Sequence, residues 1–221
     1  TTHSRQSLFE NLKALVFAGT YFEGSDAERW RETAVPELIA QFREQTLADG
    51  GHYERSPQYH GLMLENYLDL LNLAANNPEH FPQDFVELCR GHCVKALVFL
   101  QGILFPDGNI PLLNDSALGA SSKYRQLRDY FERLAGERVA DSEPAHLIRY
   151  PFSGVFGYRR HNNMLVVDAG DIGPSYQPGH THCDMLSYEL MWGGKRVVVD
   201  SGVYEYEPGE MRHYVRSTRA H

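Results

Sequence analysis

The 221-residue sequence lacks a long apolar run, an excess of basic charge and a paired set of cysteines. No run approaches the roughly 20 apolar residues of a membrane span, so we expect none. The net charge of −8 argues against nucleic acid as a partner. Three cysteines, Cys89, Cys93 and Cys183, cannot all pair and predict no disulfide framework. The chain begins at Thr1 without an initiator methionine or a signal peptide, so its location cannot be predicted from sequence.

Apolar residues recur with helical spacing through the first 134 positions or so, typical of a substantial helical core. The pattern predicts helices over residues 8–16, 26–47, 62–73, 85–100 and 124–134. Pro36 is expected to start the regular part of the second helix, because proline favours the first helical turn.

The period changes after about residue 139. Residues 153–160, 164–169, 187–192 and 196–200 are rich in Val, Tyr and Phe and predict strands, with turns at Asn162-Asn163 and Gly193-Gly194. The sequence therefore predicts an α+β chain, with a helical part over 1–138 and an antiparallel sheet over 145–221. So few strands suggest an unfinished sheet, and hence a fragment.

The segment Pro178-Gly-His180-Thr-His182-Cys-Asp184 places two histidines two residues apart. In a strand, both imidazoles would point to the same side and could share one site. One of them could bind a metal while the other faces a substrate, and Asp200 and His221 would complete a His/Asp/His ligand set suited to zinc. For the histidine pair alone, an exposed loop without function is the more common interpretation.

Two polar loops lie between predicted helices. The loop over 49–60 concentrates titratable groups, including His52, Tyr59 and His60, and either a functional site or packing at a capped helix start would account for them. For the loop over 105–116, a turn with a Ser or Asp helix cap is favoured over a role in a cleft.

In this order, Asn11-Leu-Lys-Ala-Leu-Val-Phe-Ala-Gly19, Asp49 to His60, residues 105–116, Pro178 to Asp184 and Arg216 to His221 resemble heparinase II/III-like polysaccharide lyases. That superfamily includes heparan sulfate and alginate lyases. The resemblance implies a partial α/α toroid followed by an antiparallel β-sandwich domain, truncated at both ends here. It also implies an anionic polysaccharide or oligosaccharide substrate and a periplasmic or secreted location.

The resemblance further implies β-elimination at a uronic acid. Tyr59 and His180 would be the catalytic acid–base pair. His182, Asp200 and His221 would bind a structural zinc ion that holds the loops of the sheet against the cleft.

Substrate contacts are expected at Gln6, His60, Arg212, Tyr214 and Arg216. Gln6 stands where the family usually has an Asn that neutralises the uronate carboxylate. The two arginines suit bidentate binding of carboxylates or sulfates, although surface ion pairs are equally compatible with them.

Three alternatives stay open on sequence alone. A non-catalytic glycan-binding relative would explain Gln6-Ser7 as the remnant of a decayed site. A zinc hydrolase would use His180, His182 and Asp200 around a metal-bound water, but it lacks a clear general base. A purely structural sandwich module would leave the 49–60 loop unexplained.

Overall fold

A computed structural model describes residues 5–139, 146–176 and 178–221, with side chains described from Leu8 onward. The main helices are α1 (Arg5–Tyr21), α2 (Ser25–Gln45), α3 (Pro57–Asn76), α4 (Gln83–Ile103) and α5 (Tyr124–Ala135). The strands are β1 (Leu147–Tyr150), β2 (Val155–Arg160), β3 (Asn163–Asp168), β4 (Tyr188–Trp192) and β5 (Lys195–Val198). A short helix α6 (Glu210–Val215) and a 3-10 turn (Thr218–Ala220) follow. The expected α+β order of helices and then antiparallel strands is confirmed.

The helical half is held by a continuous apolar core to which each long helix contributes. Phe9 of α1 and Phe42 of α2 meet edge to face at 5.5 Å between ring centroids, and Phe42 lies 4.5 Å from Tyr67 of α3. Aromatic pairs of this kind stabilise a core by about 0.5–1.5 kcal/mol beyond the area they bury. Among the described residues, no helix is both long and apolar enough to cross a membrane.

Helix α2 runs through Pro36 without interruption, so the prediction that its regular part begins there was wrong. Proline removes one backbone hydrogen bond within a helix. Ala34 and Leu38 are fully buried on either side of it, and their packing maintains the helix across that gap.

The start of α3 is fixed by a side-chain cap. Ser56 precedes Pro57 at the first helical position, and the Ser56 hydroxyl accepts a hydrogen bond from the Tyr59 amide at 3.3 Å. That hydroxyl also donates to the main-chain oxygen of Asp115 at 2.7 Å. A cap of this type is worth about 1 kcal/mol. Here it also fixes the turn that carries Tyr59 against the segment that carries Asp115.

The five strands form one antiparallel sheet in the order β1-β2-β3-β4-β5. Alternate residues face the helices and are buried: Ile148, Val155, Met164, Val166 and Met191. The opposite face exposes large side chains, among them Leu147, Tyr158, Tyr188 and Trp192. Strand β1 was not predicted, because only four residues pair with β2 and a charged Arg149 lies among them.

Polar contacts join the sheet to the helical half. The Asp49 carboxylate accepts hydrogen bonds from the amides of Phe152 and Ser153 at 2.9 and 2.8 Å. Arg196 of β5 pairs with Asp107 at 2.9 Å and lies 4.1 Å from the centre of the Phe105 ring. These contacts fix the edge of the sheet over the loops between helices, where the candidate site lies.

Candidate active site and metal cluster at the junction of helices and sheet

The rings of Tyr59 and His180 pack against each other at the junction of the two halves. Their ring centroids are 3.9 Å apart, with 35° between the ring planes. The Tyr59 hydroxyl donates to the hydroxyl of Tyr206 at 3.2 Å. The segment that carries His180 is a loop, not the strand that the alternation argument assumed. The structure nevertheless brings together the two residues expected to form the acid–base pair.

The carboxylate of Asp115 is completely buried and contacts both histidines of the His180-Thr-His182 segment. Its Oδ2 lies 3.0 Å from Nδ1 of His180, and its Oδ1 lies 2.8 Å from Nε2 of His182. A charged carboxylate only accepts hydrogen bonds, so each of these ring nitrogens carries the hydrogen. In the neutral His180 ring, Nε2 therefore keeps a lone pair available for a proton.

Arg212 completes this arrangement from the other side. Its guanidinium donates to both oxygens of Asp115, with Nη2 2.6 Å from Oδ2. Burial alone would raise the pKa of Asp115, but hydrogen bonds from Arg212, His180 and His182 hold that pKa well below its usual value. The carboxylate is therefore charged at neutral pH and can orient both imidazoles.

The hydroxyl of Tyr59 is in the opposite condition. Burial raises the pKa of Tyr59 well above its ordinary value, and the hydrogen bond to Tyr206 raises it further. The phenol therefore keeps its proton at neutral pH and can act as a proton donor.

A second cluster lies next to the first. The ligand atoms of His182, Asp184 and His221 all lie within 4.8 Å of one another. Nδ1 of His182 and Nε2 of His221 are buried and have no hydrogen-bond partner among the described residues. Two unpaired imidazole nitrogens beside a carboxylate fit the ligand preferences of zinc.

Both imidazoles of this cluster are held from behind by carboxylates. Asp115 binds Nε2 of His182, and Asp200 binds Nδ1 of His221 at 2.6 Å. Metal-binding histidines usually donate their second nitrogen in this way, which fixes the ring orientation. Asp200, expected as a ligand, thus lies behind His221, and Asp184 occupies the third position of the cluster.

The expected substrate contact at His60 is not retained. His60 is only 3% exposed, its Nε2 donates to the main-chain oxygen of Ala96 at 2.9 Å, and its ring packs against Phe99 at 4.9 Å. Burial lowers the pKa of His60 to about 4. The structure therefore places this imidazole in the helical core as a neutral group.

The two arginines expected to bind substrate are both engaged within the protein. Arg212 is committed to Asp115, and Arg216 donates to the main-chain oxygens of Thr181 and Pro178 at 2.9 and 3.1 Å. Arg216 thereby braces the loop that carries His180. Tyr214 is about half exposed.

Gln6 lies in the first turn of α1, and its side chain is outside the described residues.

Three site residues were missed by the sequence reasoning. The loop holding Asp115 was interpreted as a turn with a helix cap. The Tyr-Glu-Tyr-Glu run that contains Tyr206 matches no catalytic pattern. Asp184 ends the segment that contains His180 and His182, but it was not predicted to bind a metal. Only the His-x-His-x-Asp spacing could have drawn attention to Asp184, since it offers a carboxylate near the histidine pair.

Two family profiles match this chain, and together they cover nearly all of it. The family profile described as "Heparinase II/III N-terminus" matches residues 2–138, and the one described as "Heparinase II/III-like, C-terminal" matches residues 142–221. The chain belongs to the heparinase II/III-like family.

Curated relatives of this heparinase II/III-like chain carry the name heparin-sulfate lyase. The protein from Bacteroides stercoris is 28% identical over 240 residues, covering 97% of this chain and 34% of the relative. The protein from Bacteroides thetaiotaomicron is 30% identical over 250 residues, covering 97% of this chain and 35% of the relative. The chain thus spans about a third of the length of these relatives.

Solved structures of the family share the fold. A heparinase III superposes with a TM-score of 0.77 at 24% identity, over 100% of this chain and 37% of that one. The heparan sulfate lyase HepC from Pedobacter heparinus gives a TM-score of 0.69 at 24% identity, over 96% and 36% of the two chains. These likenesses confirm the expected fold class.

Proposed function

We propose that this chain carries the acid–base site of a polysaccharide lyase that cleaves a uronic-acid-containing glycan, of heparan sulfate or alginate type, by β-elimination. One observation carries the proposal. The ring of Tyr59, whose hydroxyl is protonated, packs against the ring of His180, and Nδ1 of His180 is held by Asp115. The names of the relatives support a polysaccharide substrate.

The reaction divides between the two side chains. Nε2 of His180 takes the proton from C5 of the uronate, and the released electron pair forms the C4–C5 double bond as the C4–O4 bond breaks. The Tyr59 hydroxyl gives its proton to the departing O4. His180 then returns a proton to the Tyr59 phenolate, directly or through solvent, and no water is consumed. General acid–base catalysis by such groups typically contributes about 10²–10⁴-fold to the rate.

Removal of the C5 proton also requires that the neighbouring carboxylate be neutralised. Arg212 is paired with Asp115 and Arg216 with main-chain oxygens. We therefore propose that the side-chain amide of Gln6 donates a hydrogen bond to the uronate carboxylate. Tyr214, which is half exposed, is proposed as a second contact to the substrate. A misplacement of about 1 Å in such a contact can cost 10²-fold in rate, so the longer Gln side chain has to reach the position of the usual Asn.

We further propose that His182, Asp184 and His221 hold a zinc ion, with Asp200 and Asp115 orienting the two imidazoles. When bound, the ion supplies a rigid cross-link between the His180 loop and the C-terminal turn. No proton transfer is assigned to it. Metal binding at such a site contributes to folding free energy, because the ligands are not assembled in the unfolded chain.

The test is the chemical nature of the product. The full-length protein is incubated with heparan sulfate, alginate and hyaluronan, and ultraviolet absorbance is followed. Elimination leaves a double bond conjugated to the uronate carboxylate, so absorbance rises with the correct substrate. Saturated products that disappear on chelation would instead establish the zinc hydrolase. Binding without products would establish the glycan-binding relative.

We propose a periplasmic or secreted location, where such polymers are accessible.

A further inference from the structure

Among the described residues, only Asp115 has a side chain that is hydrogen-bonded both to the proposed catalytic histidine and to a residue of the metal cluster. One oxygen faces His180 at 3.0 Å and the other faces His182 at 2.8 Å. Because the two oxygens belong to one rigid planar group, neither contact can change without disturbing the other. This shared carboxylate links two sites that would otherwise be independent.

The main chain around Asp115 is fixed on both sides. Its amide donates to the main-chain oxygen of His180 at 3.1 Å, and its main-chain oxygen accepts from Ser56 at 2.7 Å. The preceding Asn114 has a φ of 54°, and its side-chain oxygen accepts from the His182 amide at 2.9 Å. The segment therefore holds the His180 loop through its backbone as well as through its side chain.

Arg212 fixes the plane of the carboxylate. The two terminal nitrogens of its guanidinium, Nη1 and Nη2, donate to the two oxygens, a bidentate pairing that constrains rotation about the last bond of the Asp115 side chain. If Asp115 served only to neutralise Arg212, the histidines would not need to lie on the remaining acceptor positions. Both do, and each uses a different oxygen.

We propose that Asp115 is a positioning residue that orients His180 for proton transfer and His182 for metal binding at the same time. Through this one carboxylate, occupancy of the metal cluster and orientation of the proposed catalytic imidazole depend on each other. The part concerning His180 rests on the proposed function, whereas the part concerning His182 rests on the cluster geometry alone.

The substitution Asp115→Asn in the full-length protein tests this inference. An amide replaces one acceptor oxygen with a donor, so it cannot accept from both imidazoles. We expect zinc affinity, measured by competition with a chromophoric chelator, to fall about 10–100-fold. We expect kcat to fall by about 10²-fold or more while KM stays within threefold, because the substrate-binding surface is unchanged.

Asp49→Asn is the matched control. Asp49 also joins distant segments through hydrogen bonds, to Phe152 and Ser153, but touches neither histidine. Its substitution should lower the melting temperature and leave zinc affinity and kcat near wild type. If Asp115→Asn does not fold, Asp115→Glu keeps the charge and shifts the oxygens by about one bond, which should still lower both quantities.

Unchanged zinc affinity in a folded Asp115 variant would overturn the inference. Lowered zinc affinity with wild-type kcat would also overturn it, since the two sites would then be independent. A wild-type protein that forms no unsaturated product contradicts the proposed function, and with it the part concerning His180. The zinc measurement still decides the part concerning His182.

Discussion

Two histidines lie near Tyr59 in contrasting surroundings. His60 follows it in the first turn of α3, and His180 comes from the loop between Pro178 and Asp184. His60 is enclosed by the helical core and donates to a main-chain oxygen. His180 is partly exposed and is held by the charged carboxylate of Asp115. Two imidazoles near the same phenol therefore have different chemistry, because their partners differ.

Helix geometry explains the difference. Neighbouring residues in an α-helix point about 100° apart, so Tyr59 faces the junction while His60 turns into the core. Both side chains belong to the polar loop over 49–60 and were expected at the site, but the helical conformation separates them. The partner that Tyr59 does have comes from the other half of the chain.

The largest effect is expected from His180→Ala. Loss of the proposed base should reduce formation of unsaturated product by the full-length enzyme by about 10²–10⁴-fold. Because the ring is partly exposed, the melting temperature should change little. Activity within tenfold of wild type would show that His180 is not the base, and the proposed difference in role between His180 and His60 would then be wrong.

The opposite pattern is expected from His60→Ala. Removing a buried ring that packs on Phe99 should lower the free energy of unfolding by about 3–5 kcal/mol, as other large-to-small core substitutions do. Denaturant unfolding measures this loss. The kcat of the remaining folded enzyme should stay within a few-fold of wild type. A decrease in kcat as large as that expected for His180→Ala would show that His60 takes part in catalysis.

The pH dependence of stability tests whether His60 is buried as a neutral group. Burial lowers the pKa of His60 to about 4, whereas the unfolded imidazole titrates near its ordinary value of about 6.5. Between these values the unfolded state binds more protons, so the contribution of His60 is complete above about pH 6.5 and is lost as pH falls towards 4. The stability of the wild type relative to His60→Gln should therefore fall by up to about 3 kcal/mol as pH decreases from about 6.5 to about 4. A difference independent of pH would contradict the buried, neutral state.

A smaller effect is expected from Tyr206→Phe. This change removes one hydrogen bond to the Tyr59 hydroxyl, worth about 1 kcal/mol, so kcat should change by roughly fivefold. Steady-state kinetics on the same substrate measure the change. A loss beyond about 10²-fold would give Tyr206 a direct part in the proton transfer.

Much of the fold could be predicted from the sequence, because helical and alternating periods are local. The change of period separated the two halves, and all five long helices were anticipated. Pro36 misled because packing on both sides of it outweighs one missing hydrogen bond. Strand β1 was missed because only pairing with β2 defines it.

The site was less predictable, because its decisive contacts join distant segments. Tyr59 and His180 came from the family resemblance. Asp115 looked like part of an ordinary turn, and its role depends on two histidines and Arg212 converging from elsewhere in the chain. No local pattern records such convergence.

The most direct test of the account is product formation by Tyr59→Phe in the full-length protein, followed by ultraviolet absorbance on the substrate that the wild type cleaves. The substitution removes only the hydroxyl that donates to Tyr206 and keeps the ring on His180. We predict a loss of about 10²-fold or more with unchanged folding, because phenylalanine has no proton to give to O4. Unsaturated product at the wild-type rate would contradict the account.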